Sequence, residues 1–125
     1  MREETRKLIS KANKDLGTAG FALQSVEGPL SVTTALHCQQ SAEKYLKAFL
    51  HEHRLAFSDQ HNLASLLESC ISVDSSFEDL RTAIDRLEGY SIASRYPKAS
   101  DSLEFRTEAL DTAKRVKDFI LNKLA

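Results

Sequence analysis

Apolar residues recur at three- and four-residue steps along most of the chain, which is the spacing of one helix face. Leu8, Ile9, Ala12, Leu16, Ala19 and Leu23 form the first such stripe and predict a helix over about 3–25. "EGPL" at 27–30 interrupts it, because Pro29 disfavours helical geometry at Gly28. Ser31 is a suitable N-cap for a second helix over about 31–53, with Ala35, Cys38, Ala42, Tyr45, Leu46, Phe49 and Leu50 on its stripe. "LAFSDQ" breaks that pattern, and Ser58 or Asp59 can cap a third helix carrying Leu63, Leu66, Leu67, Cys70 and Ile71. Ser75 with Glu78 reads as a capping box for a fourth helix bearing Phe77, Leu80, Ile84 and Leu87, with Gly89 as its stop. Asp101 with Glu104 resembles the cap of a last helix carrying Phe105, Ala109, Ala113, Val116 and Ile120.

No segment alternates with period two in β-branched residues, so no strand is predicted. Each helix has one apolar and one charged face, and such helices bury their stripes against one another. With short connectors favouring antiparallel neighbours, the expected fold is all-α: an up-down antiparallel four-helix bundle with an additional helix, in one domain over 1–125.

Composition changes this picture little. The chain is 42% hydrophobic and 28% charged, ordinary for a folded protein, and its length can bury a core without metals or disulfides. The net charge of −1 means that any nucleic-acid site must be a local patch. No apolar run is long enough to span a membrane, and "MREETRKLIS" lacks the apolar core of a signal peptide, so a cytoplasmic protein with no membrane partner is expected. Cys38 and Cys70 fall on apolar stripes with no metal-ligand spacing and read as small buried hydrophobes.

Candidate chemistry concentrates in two places. In "ALHCQQSAEKYLKAFL", Gln39 and Gln40 stand where an apolar stripe would prefer leucine. Gln40, Glu43, Lys44 and Lys47 share one side of the second helix, and Glu43 and Lys47 can pair at i,i+4. This is either a solvated face beside the core stripe, or a polar cleft or dimer face needing hydrogen-bond partners. The other place is "SIASRYPKASD" at 91–101, a connector stiffened by Pro97. There Arg95 offers a planar fork of donors that fits phosphate, Lys98 adds a second cation, and Tyr96 has a ring to anchor and a hydroxyl to bond. The alternative is a helix-end arginine paired with Asp85, Glu88 or Asp101. No nucleophile elbow, phosphate-binding glycine loop, cofactor motif or zinc framework is present; His51 and His53 do not face each other on a helix.

"ALHCQQSAEKYLKAFL", then "HNLASLL", then "YSIASRYP", in that order, resemble the HEPN domain family over about residues 7–123. The nearest branch is that of small stand-alone prokaryotic HEPN proteins, often encoded beside a minimal nucleotidyltransferase. The resemblance implies a four-helix bundle with an added helix, homodimers, and in many members a metal-independent endoribonuclease that acts as a toxin. It also implies a catalytic arginine followed, after four to six residues, by a histidine. Arg95 matches that arginine, but no histidine follows it anywhere in the chain, and Asp101 at the matching distance would repel phosphate. "RLAFSDQH" gives Arg54 and His61 the spacing, but in a connector away from the family's motif.

The expectation is therefore an HEPN-like nucleotide- or RNA-binding protein, in a toxin–antitoxin-type pair with a nucleotidyltransferase, whose ribonuclease activity is degraded or absent. Arg95, Tyr96 and Lys98, with Lys44 and Lys47, would bind phosphate, and Gln39, Gln40 and Glu43 would line the cleft or dimer face. Tyr96 would be the residue for a partner to modify with a nucleotide. An active endoribonuclease toxin and a non-catalytic dimerisation module are the alternatives.

Overall fold

The computed structural model describes residues 1–23, 29–57, 62–93 and 103–125. Every element among them is helical: α1 (Glu3–Leu23), α2 (Pro29–Glu52), α3 (Leu63–Val73), a 3-10 turn (Ser75–Leu80), α4 (Arg81–Ala93) and α5 (Leu103–Leu124). The predicted stripes form the core, which gathers Leu16, Tyr45, Phe49, Leu66, Ile84 and Val116 among others. Its aromatic centre is Phe77, fully buried, with its ring 4.4 Å from Phe49 and 5.0 Å from Phe119.

Side-chain ties fix the helix directions. Thr5 donates to Glu52 Oε1 at 2.9 Å and Tyr45 donates to Asn13 Oδ1 at 2.5 Å, so α1 and α2 are antiparallel. Phe77, just before α4, meets Phe49 near the end of α2, while Glu88 further along α4 accepts from Gln39 Nε2 at 3.5 Å. Thus α4 runs against α2. Arg115 donates to the Asp79 carbonyl at 3.2 Å and Arg86 lies 3.9 Å from Glu108, so α5 runs against α4. The four long helices alternate in direction, and α3 is the additional one, tied to α2 by Cys70 Sγ, 3.8 Å from the Leu46 carbonyl.

The punctuation differs from the sequence reading in four places. Pro29 already occupies the start of α2, where its missing N–H costs nothing, and Ser31 lies inside the helix rather than capping it. Asn62 caps α3, its side chain accepting from Ser65 N at 3.1 Å; Ser58 and Asp59 lie outside the described residues. Asp74, not Ser75, serves the next junction. Its N–H bonds the Cys70 carbonyl at 2.9 Å to close α3, and its carboxylate accepts from Ser76 N at 3.0 Å to open the 3-10 turn. Gly89 does not stop α4, which continues to Ala93. A glycine inside a helix costs about 1 kcal/mol against alanine but does not end it when packing supports the next turn.

The end of α2 has a specific geometry. Leu55 N bonds the Leu50 carbonyl at 2.9 Å and Arg54 N bonds the His51 carbonyl at 3.0 Å. These are the paired bonds of a Schellman cap, and Arg54 takes the left-handed position with φ 61° that glycine usually fills. The Asp101 cap expected for α5 lies outside the described residues, and α5 is described from Leu103.

Candidate functional site

The polar positions of α2 divide among its neighbours. Gln39 turns toward α4, where Glu88 takes its amide and also accepts from Ala64 N at 3.4 Å at the head of α3. One carboxylate thereby joins three helices. Glu43 and Lys47 form the predicted i,i+4 pair at 3.3 Å, and the Lys47 ammonium lies 5.8 Å from the centre of the Phe57 ring. Lys47 keeps only 12% of its side chain exposed, so its stem is packing while its charge is shared. Gln40 is half-buried on the same strip with no hydrogen-bond partner among the described residues.

Lys44 leans the other way, to α1, and pairs with Asp15. The second oxygen of Asp15 lies 3.1 Å from His37 Nδ1. Asp15 is 12% exposed and His37 26%, so an aspartate, a histidine and a lysine from two helices share a half-buried pocket of charge. Beneath them Tyr45 is fully buried; burial, then the charges of Asp118 and Asp15, raise its hydroxyl above the ordinary range, so it stays a donor to Asn13. Sequence reading gave Lys44 a role but missed Asp15 and His37. His37 and Lys44, seven apart, share a face, yet their common partner is on another helix, which spacing within α2 does not reveal.

The other described histidines are engaged locally. The His51 ring lies 3.4 Å from the Thr5 hydroxyl, and the His53 ring lies 4.4 Å from the Phe49 ring. Burial pushes the thiols of Cys38 and Cys70 up to about 12, as expected of inert core residues. Among the described residues no group of three or more His, Cys, Asp or Glu could hold a metal ion.

Arg95, Tyr96, Lys98 and Asp101 lie outside the described residues, as does His61. The elements on either side of them are described. Helix α4 ends at Ala93 and α5 begins at Leu103, and between these two helices runs a groove of about 590 Å³, with Arg86, Arg115, Glu104, Glu108 and Asp111 along it. The segment bearing the basic corner therefore joins the two helices that form this groove. Arg106, at 5% exposure, is buried on the same α5 stripe as Ala109 and Ala113, a position sequence reading passed over. An arginine three residues before Ala109 on an apolar face was the signal for it.

A family model described as HEPN domain matches residues 5–124, nearly the whole chain. No curated protein and no solved structure matches the chain. None of the helices among the described residues is long and apolar enough to cross a membrane.

Proposed function

Because the chain belongs to the HEPN domain family, which is associated in general with nucleotide- and RNA-related functions and whose domains commonly dimerise, we propose that it is a cytoplasmic homodimeric protein that binds RNA or a nucleotide through its basic corner. Arg95, Tyr96 and Lys98 make the corner. Arg95 clamps a phosphate through its fork of donors, Lys98 adds a point charge, and Tyr96 stacks or bonds beside them. The observation that carries this reading is the sequence "SRYPK" on the connector of α4 and α5 in a chain that the family model matches over residues 5–124.

The ion pairs on α2 refine the reading. Lys44 is held by Asp15 and Lys47 by Glu43, so each already shares its charge with a carboxylate. They support the field around a phosphate rather than clamp it, which leaves Arg95 and Lys98 as the principal contacts. No histidine follows Arg95, so the acid–base half of the family's arginine–histidine pair is missing from its place and ribonuclease activity by that route is degraded or absent. A two-component pair with a nucleotidyltransferase, of toxin–antitoxin type, accommodates such a protein, with Tyr96 as the hydroxyl that the partner would modify; intact mass after co-expression tests that role.

The test of the site is binding of a single-stranded 2′-O-methyl RNA, followed by anisotropy at several salt concentrations. Two phosphate contacts give a slope of log K against log salt near about −1.4, and four would give about −2.8. Arg95→Ala is expected to lower affinity about tenfold or more and to flatten the slope by about 0.7. Binding unchanged in Arg95→Ala would remove the corner from the site.

A further inference from the structure

Where α2 ends beside the start of α1 lies a second, smaller hollow of about 330 Å³, lined by Arg2, His51, Arg54, Leu55 and Ala56. Two arginines and a histidine line it, and among the described residues no carboxylate does. It sits at the far end of the bundle from the basic corner. Helix α4 runs against α2, so the connector that leaves Ala93 starts beside the N-terminal half of α2, whereas Arg54 follows its C-terminus. The 24 residues of α2 put about 35 Å between the two ends.

Arg54 is held there at a cost. Among the described residues, glycines aside, it alone has a positive φ. Glycine would close the same cap without strain but would bring no side chain to the hollow. An unfavourable backbone held at the rim of a pocket points to a role for its side chain. The Arg54 guanidinium has no hydrogen bond or ion pair among the described residues, so its whole fork of donors faces outward to a ligand. The Arg2 guanidinium donates to the His51 carbonyl, which fixes it at the hollow and leaves the rest of its fork open.

The negative groups nearby are engaged elsewhere. Glu52 accepts from Arg2 N at 2.8 Å and from the Thr5 hydroxyl at 2.9 Å, and these bonds, the backbone one first, hold its carboxyl below the ordinary range. It thereby serves the head of α1, where a carboxylate is favoured. Glu4 pairs with Lys7 at 3.2 Å. The last carbonyls of α2 would repel an anion if bare, but they are bonded: Phe49 by His53 N at 3.2 Å, Leu50 by Leu55 N at 2.9 Å, and His51 by Arg54 N at 3.0 Å and by Arg2. What the hollow presents is therefore cationic, with Leu55 and Ala56 as an apolar wall. A carboxylate ligand occupies one guanidinium fork, whereas a phosphate group has oxygens enough for two.

We propose that Arg2 and Arg54, with His51 beside them, form a binding site for a small phosphate monoester. The two forks hold its phosphate, and its carbon part lies against Leu55 and Ala56. The site is separate from the corner and does not rest on the reading of it.

The experiment titrates the full chain with inorganic phosphate and with glycerol 3-phosphate, at ionic strength held constant with chloride. Binding is followed by the NMR signals of the arginine Nε–H groups, and stability by the melting midpoint. The Arg2 and Arg54 signals should shift saturably with both ligands, at lower concentration with the monoester. Arg54→Gly, which keeps the cap and removes the fork, should weaken binding about tenfold or more, and Arg2→Gln should act similarly. Arg54→Lys, which keeps the charge without the fork, should lose affinity by a smaller factor. Saturating glycerol 3-phosphate should raise the melting midpoint of wild type and leave that of Arg54→Gly in place. Arg95→Ala should bind both ligands as wild type does. Wild-type affinity in Arg54→Gly overturns the inference, as do shifts that follow added chloride equally well. Binding of inorganic phosphate with exclusion of the monoester overturns the ligand class, and binding lost in Arg95→Ala overturns the placement.

Discussion

Arg54 holds a backbone conformation that its side chain does not favour, and the cost can be isolated. It sits at φ 61° in the cap of α2, with the Leu55 and Arg54 amides both bonded back into the helix. For a residue with a Cβ the left-handed region costs about 1–2 kcal/mol. Glycine removes that cost but adds about 0.4–1 kcal/mol of unfolded-chain entropy to be lost on folding. A third effect opposes both replacements: a cation at a helix C-terminus contributes about 0.3–1 kcal/mol. Comparing Arg54→Gly with Arg54→Ala cancels this third effect, since both remove the guanidinium. The glycine variant should then be more stable than the alanine variant by about 0.5–1 kcal/mol. The alanine variant should fall below wild type by about 0.3–1 kcal/mol. Urea unfolding followed by circular dichroism reads this directly. With a slope of about 1.5 kcal/mol/M, the two midpoints should separate by about 0.3–0.7 M. Equal midpoints, or an alanine variant more stable than the glycine one, would refute the account. The cap would then not be under backbone strain in solution.

Two further outcomes follow from shifted ionisations. The Asp74 carboxyl is lowered to about 2, first by hydrogen bonds from Ser76 and Lys123 and then by the Lys123 charge, 2.9 Å away. A depressed carboxyl stabilises the fold fully above its unfolded value of about 4 and loses that contribution as pH falls through the folded value. The stability gap between wild type and Asp74→Asn should therefore be constant from pH 5 to 7 and close between about pH 4 and pH 2; a gap that widens on acidification would contradict the assigned bonds. Cys38 and Cys70, with thiols raised to about 12 by burial, should resist a thiol-specific disulfide reagent at pH 8 in the folded protein and react on addition of denaturant. Rapid native reaction of either cysteine would mean that its helix opens locally.

What sequence made legible is what periodicity encodes. The apolar stripes placed Tyr45, Phe77, Leu87 and Ile120 in the core, and the Glu43–Lys47 pair formed as its spacing required. Helix ends were less legible because several residues near each junction can cap. Asp74 prevailed over Ser75 because it can serve two helices at once, and Gly89 was absorbed into α4 because Ile84 and Leu87, just before it, are fully buried. Contacts between helices were not legible at all. Asp15 meets His37 and Lys44 only because α1 and α2 are antiparallel at one register, and Glu88 links Gln39 to α3 for a similar reason.

That limit bears on how the polar strip of α2 should be understood. On a helical wheel Gln39, Gln40, Glu43, Lys44 and Lys47 invite reading as one surface. In the fold they are partitioned: Gln39 to α4, Lys44 to α1, and the Glu43–Lys47 pair against Phe57. A lysine already paired with a carboxylate gives an incoming phosphate less than a solvated one, because the phosphate must compete for it or share it. The strip therefore contributes more to holding the helices in register than to raw affinity. Substitutions should therefore separate, Arg95→Ala acting on RNA affinity and Lys44→Ala, which frees the half-buried Asp15, chiefly on stability.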